Sequence, residues 1–233
     1  MSDEKLNQMD FLVSHRFDQS FIGKIYRRIH NQIEKVPKKF ETNESKFDIS
    51  NLRKLEIGAG SGQHLINYPN KYGEYFALDI NSSGFEKILK SDFQGKIVFV
   101  DADVQSLPFE DQYFDRVIAT CVLAHISDPR KALMEILRVT KPNGSISLFI
   151  STDPSIFLRF VRFVSVHYVM RKLPIPYSTY IRLAHRNPPS FVMTLCKLIF
   201  QHEVIKFRYY PFRLKFWNLS THIIVHIWKK SIV

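Results

Sequence analysis

The chain of 233 residues has only two cysteines, Cys121 and Cys196, far apart and without metal-ligand spacing. This excludes a disulfide framework and a thiolate zinc site, and it suits a reducing compartment. No uncharged apolar run reaches the roughly 18 residues that a spanning helix needs. The opening, MSDEKLNQMD, is acidic and polar, unlike a secretory signal. The expected location is therefore cytoplasmic. Acid is scarce in the last third: residues 151–233 hold 2 of the 22 acidic side chains against 13 of the 33 lysines and arginines. The whole net charge of +11 thus sits there, among Trp217, Trp228 and 13 Phe and Tyr, while residues 1–150 balance. Such a stretch is either a solvated basic face or a surface for an anionic substrate, a membrane or a nucleic acid. Glycine is scarce too, at eight residues, yet three of them alternate within LEIGAGSGQH as Gly58, Gly60 and Gly62.

The rest of the chain falls into recognisable pieces. Residues 17–37 place Phe21, Ile22, Ile25, Ile29 and Ile33 at amphipathic-helix spacing, and KKFETNESKFDISN reads as a linker. Residues 1–50 are thus an N-terminal helix and linker, and 51–233 the main domain. From Lys54 short apolar strands alternate with helices. KLEIGA, EYFALDI (74–80) and KIVFVDAD (96–103) read as strands, a fourth lies within 114–126, and SISLFIS (145–151) is the fifth. Helices are expected from SGQHLINYPN, SGFEKILKSD and residues 129–140. This alternation predicts right-handed crossovers and a mostly parallel, doubly wound α/β sheet. After strand five, SIFLRFVRFVSVHYVMRKL and NPPSFVMTLCKLIF look helical and mark an insertion over about 152–202. EVIKFRYYPF and STHIIVHIWKK then read as two late strands that add to the far edge, for seven in all.

In such a sheet the ligand lies beyond the carboxyl ends of the strands, and the first strand-to-helix turn meets it. A G-x-G-x-x-G loop is absent, because Gln63 stands where the last glycine belongs, and no Gly-Lys-Ser/Thr ending is present. Glu56-Ile57-Gly58-Ala59-Gly60-Ser61-Gly62 instead resembles the first motif of the class I S-adenosylmethionine-dependent methyltransferases. ALDI, ADVQSLPFEDQYFDRVIAT, CVLAHI and Thr140-Lys141-Pro142-Asn143-Gly144 resemble that family's later motifs in order and spacing. Asn143 replaces the usual first glycine there and tolerates the same left-handed angles.

The resemblance implies a Rossmann-like methyltransferase fold with S-adenosylmethionine as cofactor and no metal. It implies that Glu56, Gly58, Ala59, Gly60 and Gly62 form the cofactor loop. Asp79 is placed on the ribose hydroxyls, with Ile80 beside it. Asp103 and Val104 frame the adenine, Asp101 being a weaker candidate, and Cys121 ends strand four. Each acid has a plainer reading: Asp79 as a helix N-cap, Asp103 as a turn former.

His125, at the strand-four end, is the first candidate general base, its ordinary pKa suiting proton removal near neutrality. Its alternative is a packing role. His185, Tyr177 or Tyr180 could reach the site from the insertion. Asn187-Pro188-Pro189-Ser190 resembles an amino-methyltransferase motif but lies after strand five without the aromatic residue, so it reads as a helix start. Residues 155–172, apolar nearly all round with Arg159, Arg162, Arg171 and Lys172, read as a lid helix or as an interfacial helix on an anionic membrane.

The expected activity is methyl transfer to an O or N atom of a small, anionic or lipid-linked acceptor such as a glycan or lipid intermediate. The alternatives are an RNA or protein methyltransferase and a non-catalytic cofactor-binding partner subunit. Nucleic acid is the weaker partner, since no RNA-binding module is recognisable. The basic third is the expected contact with the inner face of a membrane.

Overall fold

The computed structural model describes residues 31–34, 51–60, 62, 64, 73–80, 96–152, 179, 184–210, 215, 220 and 222–231. The expected helices after strands one and two, the 155–172 stretch, Tyr177 and Tyr180 lie outside these residues, as does most of the 17–37 helix. Seven strands are present: β1 Arg53–Ile57, β2 Glu74–Asp79, β3 Lys96–Asp101, β4 Phe114–Thr120, β5 Thr140–Ser151, β6 Val204–Tyr210 and β7 His222–Trp228. They form one sheet in the order β3-β2-β1-β4-β5-β7-β6. The first five are parallel, and β7 runs antiparallel between β5 and β6. The order reverses between β1 and β4, which opens a crevice above their carboxyl ends.

The two faces of the sheet differ in chemistry, because successive side chains of a strand alternate sides. One face is apolar: Leu55, Leu78, Val117, Ile146, Leu148 and Val225 are all essentially inaccessible. Two helices join this core, α1 (Pro129–Val139) through Leu133 and Ile136, and α2 (Pro189–Ile199) through Val192, Leu195 and Cys196. The end of the insertion is thus a core layer, not a lid. The other face buries Lys54, Glu56, Arg116, Ser147, His222 and His226. Several of its polar groups find partners nearby. The Tyr75 hydroxyl donates to Glu56, Lys54 Nζ stands 5.0 Å from the Tyr75 ring centroid, and Arg116 donates to the Ile33 carbonyl at 2.9 Å. Ile33 belongs to a 3₁₀ turn, Asn31–Glu34, and packs with Ile118, Phe149 and Ile224.

Two boundaries differ from the sequence reading. The third strand ends at Asp101, before Asp103, because the chain turns there on its own side chains. The fifth strand starts at Thr140 instead of Ser145. Its register against β4 jumps from Phe114↔Thr140 to Arg116↔Ser145, so Lys141–Gly144 form a bulge. Asn143 sits there at φ 63. Its N–H donates to Lys229 O at 2.8 Å, so the far strand receives what would have been a free turn. Lys229 Nζ also donates to the carbonyls of Leu137 (2.9 Å) and Thr140 (2.6 Å), capping the end of α1. The start of α1 is capped by Asp128, whose carboxylate accepts the Lys131 N–H at 3.0 Å, with Pro129 in the first turn.

His222 is stacked between Phe149 and Tyr210, with ring centroids 4.7 and 4.8 Å away. Burial holds its pKa down at about 3, and burial with nearby Arg116, Arg208 and Lys206 does the same for His226. A histidine depressed in the folded state costs stability as pH falls below its unfolded value near 6.5. Acidification from pH 7 to 5 should therefore destabilise the fold by about 2 kcal/mol through His222 alone. His222→Phe, which keeps the stack, should remove about that much of the acid sensitivity in urea titrations at the two pH values. An unchanged pH dependence would dissociate His222 from it.

Candidate functional site

The glycine loop leaves β1 and turns at once. Gly58, Gly60 and Gly62 adopt φ of 75, 51 and 69°, the left-handed region that side chains resist. The turn is set by β2: the N–H groups of Gly58 and Ala59 both donate to the Leu78 carbonyl, at 2.8 and 3.1 Å. Gly58 has a second constraint, since a Cβ there would stand 2.1 Å from Val122 Cγ2. Gly60 is different, with open space where a Cβ would be. Its N–H donates to Asp79 Oδ2 at 2.8 Å. Beside Asp79, Ile80 is 68% exposed.

This surface fits the adenosyl cofactor. Bare backbone at Gly60 lets a ligand approach closely, Asp79 offers a carboxylate that suits a ribose diol, and Ile80 offers an apolar edge. Glu56 lies below the loop, buried, and accepts the Tyr75 hydroxyl. Its place is support for the loop rather than its rim.

The segment after β3 is held from the other side. Asp103 accepts the Gln105 N–H at 2.8 Å and the Gln105 amide at 2.8 and 3.1 Å. The Gln105 carbonyl oxygen accepts from Ser127 Oγ and Asp128 N, both at 2.9 Å, tying this segment to the turn after β4. Val104 is buried in the apolar core at 3% exposure. Arg138 of α1 clasps Glu135 through two hydrogen bonds (2.7 and 2.8 Å), while Glu135 accepts the Leu107 N–H and Arg138 donates to the Phe109 carbonyl. That pairing holds the Glu135 carboxyl below its usual range. Phe76 and Phe114 pack edge-on against Phe109 and Tyr113, which stack on each other. This is what LPFEDQYFD does: it anchors the β3 loop to the core.

β4 ends in an unusual turn. Cys121 adopts φ 59, a left-handed angle uncommon for a residue with a Cβ, and starts a 3₁₀ turn, Val122–Ala124. His125 closes it, and its N–H donates to Val122 O at 2.9 Å. The His125 ring meets His185 edge-to-face, with 4.8 Å between centroids. The structure therefore joins the first candidate base with one of the three side chains proposed from the insertion. Cys196 lies elsewhere, buried in the core, with its thiol pushed up to about 12. Among the described residues no cluster of His, Cys, Asp and Glu could hold a metal, and no helix is long and apolar enough to cross a membrane.

The site thus gathers the glycine loop, Asp79, Ile80, the Asp103 segment and the Cys121–His125 turn around the crevice where the strand order reverses. Residues 55–148 match the family model described as a methyltransferase domain. The chain carries a class I S-adenosylmethionine-dependent methyltransferase domain. It is 38% identical over 143 residues to the demethylmenaquinone methyltransferase of Renibacterium salmoninarum, covering 60% of this chain and 56% of that one. It is 32% identical over 109 residues to the ubiquinone/menaquinone biosynthesis C-methyltransferase UbiE of Vibrio vulnificus, covering 44% and 42%. The chain spans about half the length of the curated relatives it matches. In fold it resembles the N-methyltransferase NodS from Bradyrhizobium japonicum, with TM-score 0.60 at 11% identity over 92% of this chain and 99% of that one. The CurJ carbon methyltransferase gives TM-score 0.58 at 18% identity, covering 94% and 58%.

Three features of the methyltransferase site were beyond sequence reasoning. They are the left-handed Cys121, the Gln105 bridge and the hydrogen bonds that Asn187 makes to the β4 turn. Only the Asn-Pro-Pro spelling could have drawn attention to the last.

Asp79 accepts the Gly60 N–H, and the expected ribose contact would be a second task for the same carboxylate. Asp79→Ala should weaken S-adenosylhomocysteine binding by at least about tenfold, given roughly 1.5–3 kcal/mol per hydrogen bond to a charged group. Asp79→Asn, which keeps an acceptor for Gly60, should lose less. Calorimetry checks both, and wild-type affinity in Asp79→Ala would remove Asp79 from the ribose.

Proposed function

We propose that this chain methylates a ring carbon of a small, lipid-type aromatic acceptor, with a reduced quinone as the chemical class. The observation that carries this reading is the Cys121–His125 turn, whose Val122 stands against Gly58 of the glycine loop and whose last residue is a histidine. The names of the sequence relatives turn the expectation of an O or N acceptor toward carbon.

When bound, the cofactor supplies an electrophilic sulfonium methyl group. The protein must orient the acceptor and manage its protons. A hydroquinone ring carbon becomes a strong nucleophile when the neighbouring phenol loses its proton. After the new carbon–carbon bond forms, the ring carbon must lose its own proton to restore aromaticity. A single base at His125 serves both transfers in turn: it takes the phenol proton, releases it to solvent, then takes the ring proton, and the phenolate so formed is reprotonated from solvent; the edge-to-face contact with His185 fixes its ring plane. The cofactor side is held by the Gly58–Gly62 loop, Asp79 and Ile80, with Asp103 and the Val104 backbone toward the adenine. The cations of residues 151–233 support approach to an anionic bilayer that carries such an acceptor.

The test is turnover with methyl-labelled cofactor and a short-chain demethylmenaquinol kept reduced, beside amine and phenol acceptors. Label on the ring carbon is expected. Label on oxygen or nitrogen, or none with any acceptor, overturns the reading. His125→Ala should lower kcat by about 100-fold or more while cofactor affinity stays within about threefold, since a positioned base contributes on the order of 10²–10⁴. Equal losses in both would make His125 a packing residue.

A further inference from the structure

Asn187 stands 61 to 64 residues away in sequence from the turn after β4, yet it makes three hydrogen bonds to it. Its side-chain amide donates to the carbonyls of Leu123 (3.0 Å) and Ile126 (2.7 Å). Its backbone N–H donates to the Ala124 carbonyl at 3.1 Å. A carboxamide has two N–H donors, and both are used here on carbonyls that bracket His125. The 3₁₀ turn spans only Val122–Ala124, too short to satisfy these carbonyls within itself. Two residues before Asn187, His185 meets the His125 ring. Pro188 and Pro189 follow at once, so the backbone of this segment is stiff and leads directly into the core helix α2.

The turn also has an opposite side. Val122 fills the space beside Gly58 that a Cβ would need. The turn is therefore wedged between the cofactor loop and the inserted segment, and its first residue, Cys121, holds a left-handed angle that surrounding contacts must maintain.

We propose that Asn187 is the positioning residue of this turn: it clamps the carbonyls of Leu123, Ala124 and Ile126 so that the insertion, not β4 alone, sets where the His125 ring stands relative to the methyl group. The proposal deepens the function proposed above and rests on it for its kinetic consequence. Asn187 touches neither acceptor nor cofactor and acts through His125.

The substitution is Asn187→Asp, which keeps the shape but removes both donors and turns a carboxylate toward the two carbonyls. Leu195→Val, a core change on α2, serves as the stability control. Two readouts are taken on the full chain. The first is the His125 ring signal in proton–carbon NMR of histidine-labelled protein, assigned by its loss in His125→Gln. Asn187→Asp should shift it, together with that of His185, whereas Leu195→Val should not. The second is turnover of short-chain demethylmenaquinol. Asn187→Asp should lower kcat by about 20-fold or more and move the pH midpoint of turnover, with S-adenosylhomocysteine affinity within about threefold. If Asn187→Asp does not fold, Asn187→Ser, with one donor, is read in the same way. A folded Asn187 variant with an unmoved His125 signal, or with unchanged kcat, overturns the proposal. Absence of turnover in the wild type would sink the acceptor reading alone, because the NMR comparison still decides the clamp.

Discussion

The close approach of Val122 to Gly58 is the constraint on which the site depends. With a 2.1 Å separation between a would-be Cβ and Val122 Cγ2, a side chain at Gly58 would have to displace the Val122 side chain, on top of a left-handed φ. The two elements are therefore one object. The loop's backbone conformation comes from β2, through the shared Leu78 carbonyl, and the turn's comes from Asn187. Four pieces distant in sequence meet within a few ångströms of the crevice, and the register of the parallel strands brings them there.

The sheet beneath treats its two faces differently. One is an ordinary apolar layer under α1 and α2. The other buries ionisable groups and partners some of their atoms in place, with Glu56 against the Tyr75 hydroxyl and Ser147 Oγ sharing a 2.7 Å hydrogen bond with His226 Nδ1, while Arg116 Nε and His226 Nε2 make no hydrogen bond among the described residues. Buried polar groups stabilise only when partnered, and a partial network is worse than an apolar one. Glu56 shows how this bears on the site: its acid belongs to the support beneath the loop.

Much of the fold was legible in the sequence because its signals are local. Apolar runs of five to seven residues marked the strands, and the alternation of Ile205, Phe207 and Tyr209 with Lys206 and Arg208 marked β6. Three glycines in five residues needed left-handed angles, and all three have them. Asn143 likewise takes the angle that its position in the motif demanded. What was illegible depends on contacts between distant residues. The bulge at Lys141–Gly144 exists because Lys229 arrives to accept the Asn143 N–H. The start of α2 at Pro189 was readable from proline chemistry, but its place in the core, through Val192 and Cys196, was not. Val104 reads as a site residue from its motif, whereas its side chain serves the core. No pattern in Asn-Pro-Pro specifies which carbonyls the amide will find.

Lys229 binds carbonyls 92 and 89 residues earlier in the chain. The end of α1 and the edge of β5 therefore wait for the last strand during synthesis. A nascent chain that has emerged only as far as residue 220 carries the whole glycine loop and the β4 turn, but it presents β5 as a bare, hydrophobic edge with unpaired main-chain groups. Insertion of β7 closes that edge and caps the helix in one event. Until then the cofactor crevice stands on a sheet that is open to pairing with other strands, so the interval before β7 docks is one in which the chain is exposed to aggregation.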